Sequence, residues 1–166
     1  EEQEAFAAYD SCLQWKDDNV MALNNYAYYL SEKGVDLHKA ESMSYKTIKA
    51  EPNNGTYLDT YAWILFMEER YADAKTYIDQ ALKNRDSTAD NSTVLEHAGD
   101  IYYMNGMTDE SVDFWKKAYT GENQTEVLAW KIKNRQYITE EELKKRNAPK
   151  QKPAATKKSV RKGKKK

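Results

Sequence analysis

The 166-residue chain holds one cysteine, three prolines, six glycines and two histidines. A single cysteine, Cys12, cannot close an internal disulfide. So few prolines and glycines exclude a fold built on many tight turns and favour long helices. No apolar run approaches the ~18 residues of a membrane-spanning helix. The opening Glu1-Glu2-Gln3-Glu4 is neither a signal peptide nor an initiator methionine, so a fragment or a processed product is expected. No H-E-x-x-H, paired C-x-x-C, phosphate loop or nucleophile elbow occurs. His38 and His97 are too few for a zinc site, which needs three or four ligands. The expectation is a protein that is not an enzyme, with no catalytic residue, no metal and no cofactor.

What is present is charge, and it is divided. The chain carries 27 acids and 26 bases. All the acids and 17 of the bases fall in residues 1–146, a net of −10; residues 147–166 hold the other 9 bases and no acid. An acidic body is thus joined to a basic tail. The 12% aromatic content is too high for a fully disordered chain.

The body repeats itself. Leu23-Asn24-Asn25-Tyr26-Ala27-Tyr28-Tyr29-Leu30 aligns with Leu58-Asp59-Thr60-Tyr61-Ala62-Trp63-Ile64-Leu65 and with Leu95-Glu96-His97-Ala98-Gly99-Asp100-Ile101-Tyr102. The small residues Ala27, Ala62 and Gly99 are spaced by 35 and 37 residues. Leu58, Tyr61, Ala62 and Leu65 recur at i, i+3, i+4, i+7, one face of a helix. A second helical stretch follows each segment, marked by Ala40, by Ala74, Ile78 and Ala81, and by Ala118. Neither helix of such a pair can bury its stripe alone, so the pairs must stack.

These residues and this spacing resemble the tetratricopeptide repeat (TPR) family, whose unit is a helix–turn–helix of about 34 residues. The resemblance covers residues 4–121. The third unit matches through Leu95, Ala98, Gly99, Tyr102, Gly106, Trp115 and Ala118. The first departs by one extra residue between Gly34 and Ala40, the link at 86–91 is long, and Ser111 replaces the usual alanine. The predicted fold is all-α: a helix–turn–helix repeat solenoid with a C-terminal capping helix and a disordered tail. Residues 1–18 read as the second helix of a truncated preceding unit, through Ala5, Tyr9 and Cys12. The units follow at 20–54, 55–91 and 92–123, capping helices at 124–146 and the tail at 147–166. Helices are predicted near 3–15, 20–33, 37–50, 55–68, 71–84, 92–105, 108–120, 125–135 and 140–146. Val127, Leu128 and Ile132 would cover the open end, with Lys131, Lys133 and Arg135 outward. Thr139 and Glu142 have capping-box spacing.

The resemblance implies a concave groove lined by the first helix of each pair. The faces not used for packing then supply Asn24, Asn25 and Tyr28, next Asp59, Thr60, Trp63, Phe66 and Met67, and finally Glu96, His97, Asp100, Tyr103 and Met104. This set has no lysine or arginine. Its acids would repel an acidic C-terminal carboxylate peptide, which needs cationic partners. A partner protein or peptide with apolar anchors and positive charge fits, as a docked helix or an extended segment. The alternative is that Tyr28, Trp63 and Phe66 only pack the core.

The tail residues Lys157, Lys158, Arg161, Lys162, Lys164, Lys165 and Lys166 stand in a stretch with almost no apolar content and suit contacts to nucleic acid or anionic lipid. The stretch resembles a bipartite nuclear import signal, which has meaning only in a eukaryote. The expected function is a protein–protein interaction scaffold or adaptor. The alternative is a nucleic-acid- or anionic-surface-associated protein that uses its tail. Self-association through the open N-terminal end is a further option. The overall flavour resembles bacterial TPR proteins, of the periplasmic side of the cell envelope or of the cytoplasm.

Overall fold

The computed structural model describes residues 19–148, together with Ala7. Ala7 is helical; the remainder of the predicted helix near 3–15, with Cys12, and the tail residues 149–166 lie outside the described residues. Among the described residues there are eight α-helices, one short 3-10 turn and no strand. Three antiparallel pairs come first: α1 (Val20–Lys33) with α2 (Leu37–Ala50), α3 (Gly55–Met67) with α4 (Tyr71–Asn84), and α5 (Ser92–Met104) with α6 (Thr108–Ala118). The 3-10 turn Gly121–Asn123 leads to α7 (Glu126–Asn134) and α8 (Glu140–Asn147). No helix among the described residues is long and apolar enough to cross a membrane.

Local chemistry sets the starts. Asn19 Oδ1 accepts the Ala22 amide at 3.1 Å ahead of α1. Asn54 Oδ1 accepts those of Thr56 and Tyr57 at 3.1 and 3.3 Å ahead of α3. Each such cap offsets an orphan amide and stabilises its helix by ~1 kcal/mol. The capping box read at Thr139 is formed, with Glu142 reaching back to the Thr139 amide.

The ends of the first helices are alike. Gly34, Glu69 and Gly106 each occupy the fifteenth position counted from the helix start, with φ of 63°, 61° and 78°. In each, the next residue's amide bonds back to the carbonyl five residues earlier: Val35 to Leu30, Arg70 to Leu65, Met107 to Tyr102. This is the Schellman closure. The extra residue of the first unit is absorbed at Asp36, which takes a left-handed φ of 46° just before α2.

The shared register carries through the packing. Ala27 and Ala62 in the first helices, and Ala40, Ala74, Ala81 and Ala118 in the second, are fully buried. These small side chains let helix axes approach, so α1 touches α3 and α3 touches α5 while each also packs on its own partner helix. At Gly99 the approach is closer still: an added Cβ would run into the Trp115 indole. The largest core cluster centres on Leu58, Tyr61, Ala62, Leu65 and Phe66 of α3, packed with Ile78 of α4 and Ile101 of α5.

The C-terminal helices depart from the expectation. α7 packs on α6, and Leu128 is buried with Val112 and Trp115. Lys131, expected outward, is instead buried at 3% exposure, because its ammonium finds two carboxylates on α5. After α7 the chain turns at Arg135, with φ of 53°. Tyr137 then joins the core cluster beside Phe66, and Ile138 and Leu143 are both buried.

Candidate functional site

Residues five, six and nine of each first helix face the same side, because those spacings share one helical face. They are Asn24, Asn25 and Tyr28 on α1, Asp59, Thr60 and Trp63 on α3, and Glu96, His97 and Asp100 on α5. Stacking the helices brings these side chains together across the repeats.

Their centre is a stack of rings. The Trp63 indole lies parallel to Phe66, with centroids 4.7 Å apart and an interplanar angle of 11°. On its other side is the His97 imidazole, 4.1 Å away at 13°. Trp63 Nε1 donates to Glu32 Oε1 at 2.9 Å. His97 Nδ1 donates to Asp59 Oδ1 at 3.0 Å and lies 3.2 Å from Oδ2. Burial pushes the imidazole toward its neutral form; the Asp59 carboxylate, with Asp100 and Glu32, outweighs this and holds the His97 pKa above 6.5. A charged imidazolium against an indole face adds a cation–π attraction. His97, a groove candidate from the sequence, is buried and paired with Asp59.

A second polar cluster lies beside it. Lys131 Nζ donates to Asp100 Oδ1 at 2.7 Å, to Oδ2 at 2.8 Å and to Glu96 Oε1 at 3.2 Å. Trp115 Nε1 donates to Asp100 Oδ1 at 2.8 Å. Burial raises the Asp100 pKa, opposed by the Lys131 ammonium and the indole N–H, and the group stays above the ordinary carboxylate value. Lys131 Nζ also sits 5.2 Å from the Tyr137 ring centre.

These pairings correct the electrostatic reading of the groove. Asp59, Glu96 and Asp100 are not bare acids: Glu96 and Asp100 hold the Lys131 ammonium, and Asp59 accepts from His97. The groove wall does contain a lysine, Lys131. It comes from α7, not from a first helix, so projecting the first-helix faces missed it. One signal was available: Lys131 is three residues after the apolar Leu128 and shares its helical face.

Two cavities open on this side. The larger, about 800 Å³, has Tyr28, Glu32, Trp63, Met67, Glu96, His97 and Asp100 on one wall. Its other wall is made by Glu126, Val127 and Lys131 of α7, the linker Tyr137–Thr139, and Glu140, Leu143 and Lys144 of α8. The smaller, about 600 Å³, is an amide-rich cleft containing Asn24, Asn25, Asp59 and Thr60. Its far wall is the long 86–91 link, closed on itself by Asn91 Nδ2 donating to the carbonyls of Asp86 and Ala89. Tyr28 borders both cavities. Its hydroxyl is pushed upward in pKa by burial and by Glu32 and Asp59.

Ten of the thirteen groove candidates therefore border one cavity or the other. The remaining three do not. Phe66 is buried in the core behind Trp63. Tyr103 leans on Trp115 and Tyr137. Met104 packs on the α3-centred cluster. The tail lysines and arginine at 157–166 lie outside the described residues.

Two solved structures share this architecture. The first TPR domain of the human RPAP3 protein superposes with a TM-score of 0.59 at 13% identity, covering 70% of this chain and 88% of that one. YrrB, described as a TPR protein with an unusual peptide-binding site, gives a TM-score of 0.62 at 14% identity over 75% of this chain and 62% of its own. This is a TPR fold. A TPR repeat-containing protein of Pseudomonas aeruginosa is 35% identical over 66 residues, 40% of this chain. The chain spans about 11% of that relative's length. No protein-family model matches. The three helix pairs of the structure thus share the fold of these TPR structures.

Proposed function

We propose that this TPR segment recognises a stretch of another protein in its concave groove and acts as a non-catalytic scaffold. The observation that carries the proposal is the larger cavity. Its floor combines Tyr28, Trp63 and Met67, while Glu32, Glu126 and Glu140 stand exposed around it. Aromatic side chains give large apolar contact at little entropic cost, and methionine adapts its shape to what it meets. Exposed carboxylates steer and select cationic partners. The groove thus favours an apolar segment with lysine or arginine beside it and disfavours an acidic one. The peptide-binding site named for YrrB supports the same class of role.

A phage-displayed library of random twelve-residue peptides tests this. Selection on the intact chain should enrich basic, apolar sequences and deplete acidic ones, and Tyr28→Ala with Glu32→Lys should abolish the enrichment. Selection of no consensus, or of one that both variants retain, would overturn the reading.

The charge division favours a second reading, in which residues 157–166 hold a polyanion. Deleting 149–166 separates the two. Peptide selection should survive the deletion, whereas salt-sensitive retention on heparin should vanish with it.

A further inference from the structure

The linker after α7 and helix α8 form one wall of the larger cavity. We infer that residues 136–147 fill the place of a partner helix, and that the partner is an amphipathic helix which displaces them. This rests on the proposed role of the groove.

Three observations carry the inference. First, the linker and α8 supply one wall of the cavity whose opposite wall is Tyr28, Trp63 and Met67. Second, the segment is held by few apolar side chains. Tyr137 meets Phe66 edge-on at 5.8 Å, Ile138 is 4% exposed and Leu143 is 3% exposed. Leu143 is the one buried residue of α8; the rest of Glu140–Asn147 is a charged helix ordered by its capping box and by Glu140–Lys144 and Glu141–Lys145 pairs. Exposed pairs of this kind hold the helix together but do not fasten it to the repeats. Third, the segment has a pivot. Arg135 takes a left-handed φ of 53°, and it follows Lys131, whose buried pairing anchors α7.

Helix α7 is therefore fixed while α8 is lightly seated. A helix placing Tyr, Ile and Leu on one face, with lysine or arginine on its flanks, would reproduce the seated contacts. It would also meet Glu32, which stands exposed, and Glu126, to which Asn147 of α8 donates at 3.1 Å. Competition of this kind reduces the apparent affinity of a partner by the fraction of chains with the segment released.

The test uses the full chain, isotope-labelled, and a synthetic peptide of residues 136–148 as the probe. In a chain carrying Ile138→Ser and Leu143→Ser the segment is unseated. The peptide should then shift the backbone resonances of Tyr28, Trp63 and His97, with an apparent Kd at least ten-fold below that for the native chain. Equal affinity for the two chains, or no shift in a variant that keeps its helical circular dichroism, overturns the inference. Should the double variant lose that signal, Leu143→Ala takes its place and the same ten-fold comparison decides. Failure here leaves the library selection standing as an independent test of the groove.

Discussion

Lys131 Nζ on α7 lies 2.7 Å from Asp100 Oδ1 on α5, and both side chains are 4% exposed. Taking both charges out of water costs several kcal/mol per ion. The arrangement offsets this through Glu96 at 3.2 Å and the Trp115 indole N–H at 2.8 Å, so neither charge is left with a single partner. The pair joins the C-terminal segment to the third repeat. Truncating one partner strands the other, and Lys131→Ala should lower unfolding free energy by ~3–5 kcal/mol. Lys131→Met combined with Asp100→Leu should cost far less than either alone. Urea denaturation of the native chain, the three single variants and the double variant checks this, and a single-variant loss below ~1 kcal/mol would show that water enters the site.

The His97–Asp59 pair predicts a pH dependence with a definite sign. The folded His97 pKa lies above the unfolded value of 6.5. Its contribution is fully present below that unfolded value and is lost as pH rises through the folded one. The advantage of the native chain over His97→Gln should therefore be greater at pH 5.5 than at pH 9. Taking this difference cancels the carboxylates common to both chains. Urea midpoints of the two proteins across that range provide the measurement; an advantage that grows with pH would contradict the pairing.

Gly99 lies directly against Trp115. A Cβ at this position would stand 3.0 Å from Trp115 Cγ and nearer still to the rest of the pyrrole edge. The indole cannot swing away cheaply, because it is fully buried and its N–H is bonded to Asp100. Gly99→Ala should cost ~1–3 kcal/mol by overpacking, despite alanine's better helix propensity. Ala62→Gly, at the same repeat position, should lose ~1–2 kcal/mol from helix propensity and the buried methyl. An unchanged midpoint for Gly99→Ala would mean that α5 and α6 can move apart.

The repeats were legible because their signal is local. Leu23, Ala27 and Leu30 announce a helical face within eight residues, and the counterparts at 58–65 confirm its register. The eight predicted helix boundaries from Val20 to Asn84 agree with the structure to within one residue. The groove face was what the TPR resemblance implied, with its residues projected from the positions not used for packing. What could not be read was the pairing of that face. Lys131 and Asp100 are 31 residues apart, and His97 and Asp59 are 38 apart. Periodicity says which side of a helix is apolar; it does not say which charge on another helix will meet it. Lys131 therefore passed for a solvated base, and Asp100 for a free acid. The return of Tyr137 and Leu143 to the concave side was hidden for the same reason, since two apolar residues in a charged segment form no periodic stripe.

The turn at Glu69 offers the last prediction. It holds the position that Gly34 and Gly106 hold in the neighbouring units, with the same two backbone hydrogen bonds. A β-carbon in this left-handed region costs ~1–2 kcal/mol, which glycine avoids. Part of that gain is lost again, because glycine has more freedom to surrender on folding. Glu69 is exposed, so replacing its side chain removes no buried contact. Glu69→Gly should therefore stabilise the protein by ~0.5–1 kcal/mol. The converse is Gly106→Ala, where nothing lies within 4 Å of the added carbon. Any loss there reports backbone strain alone and should be of similar size and opposite sign. Thermal unfolding of both variants beside the native chain measures the two shifts. If Glu69→Gly unfolds earlier, its carboxylate stabilises this turn by more than the left-handed backbone costs.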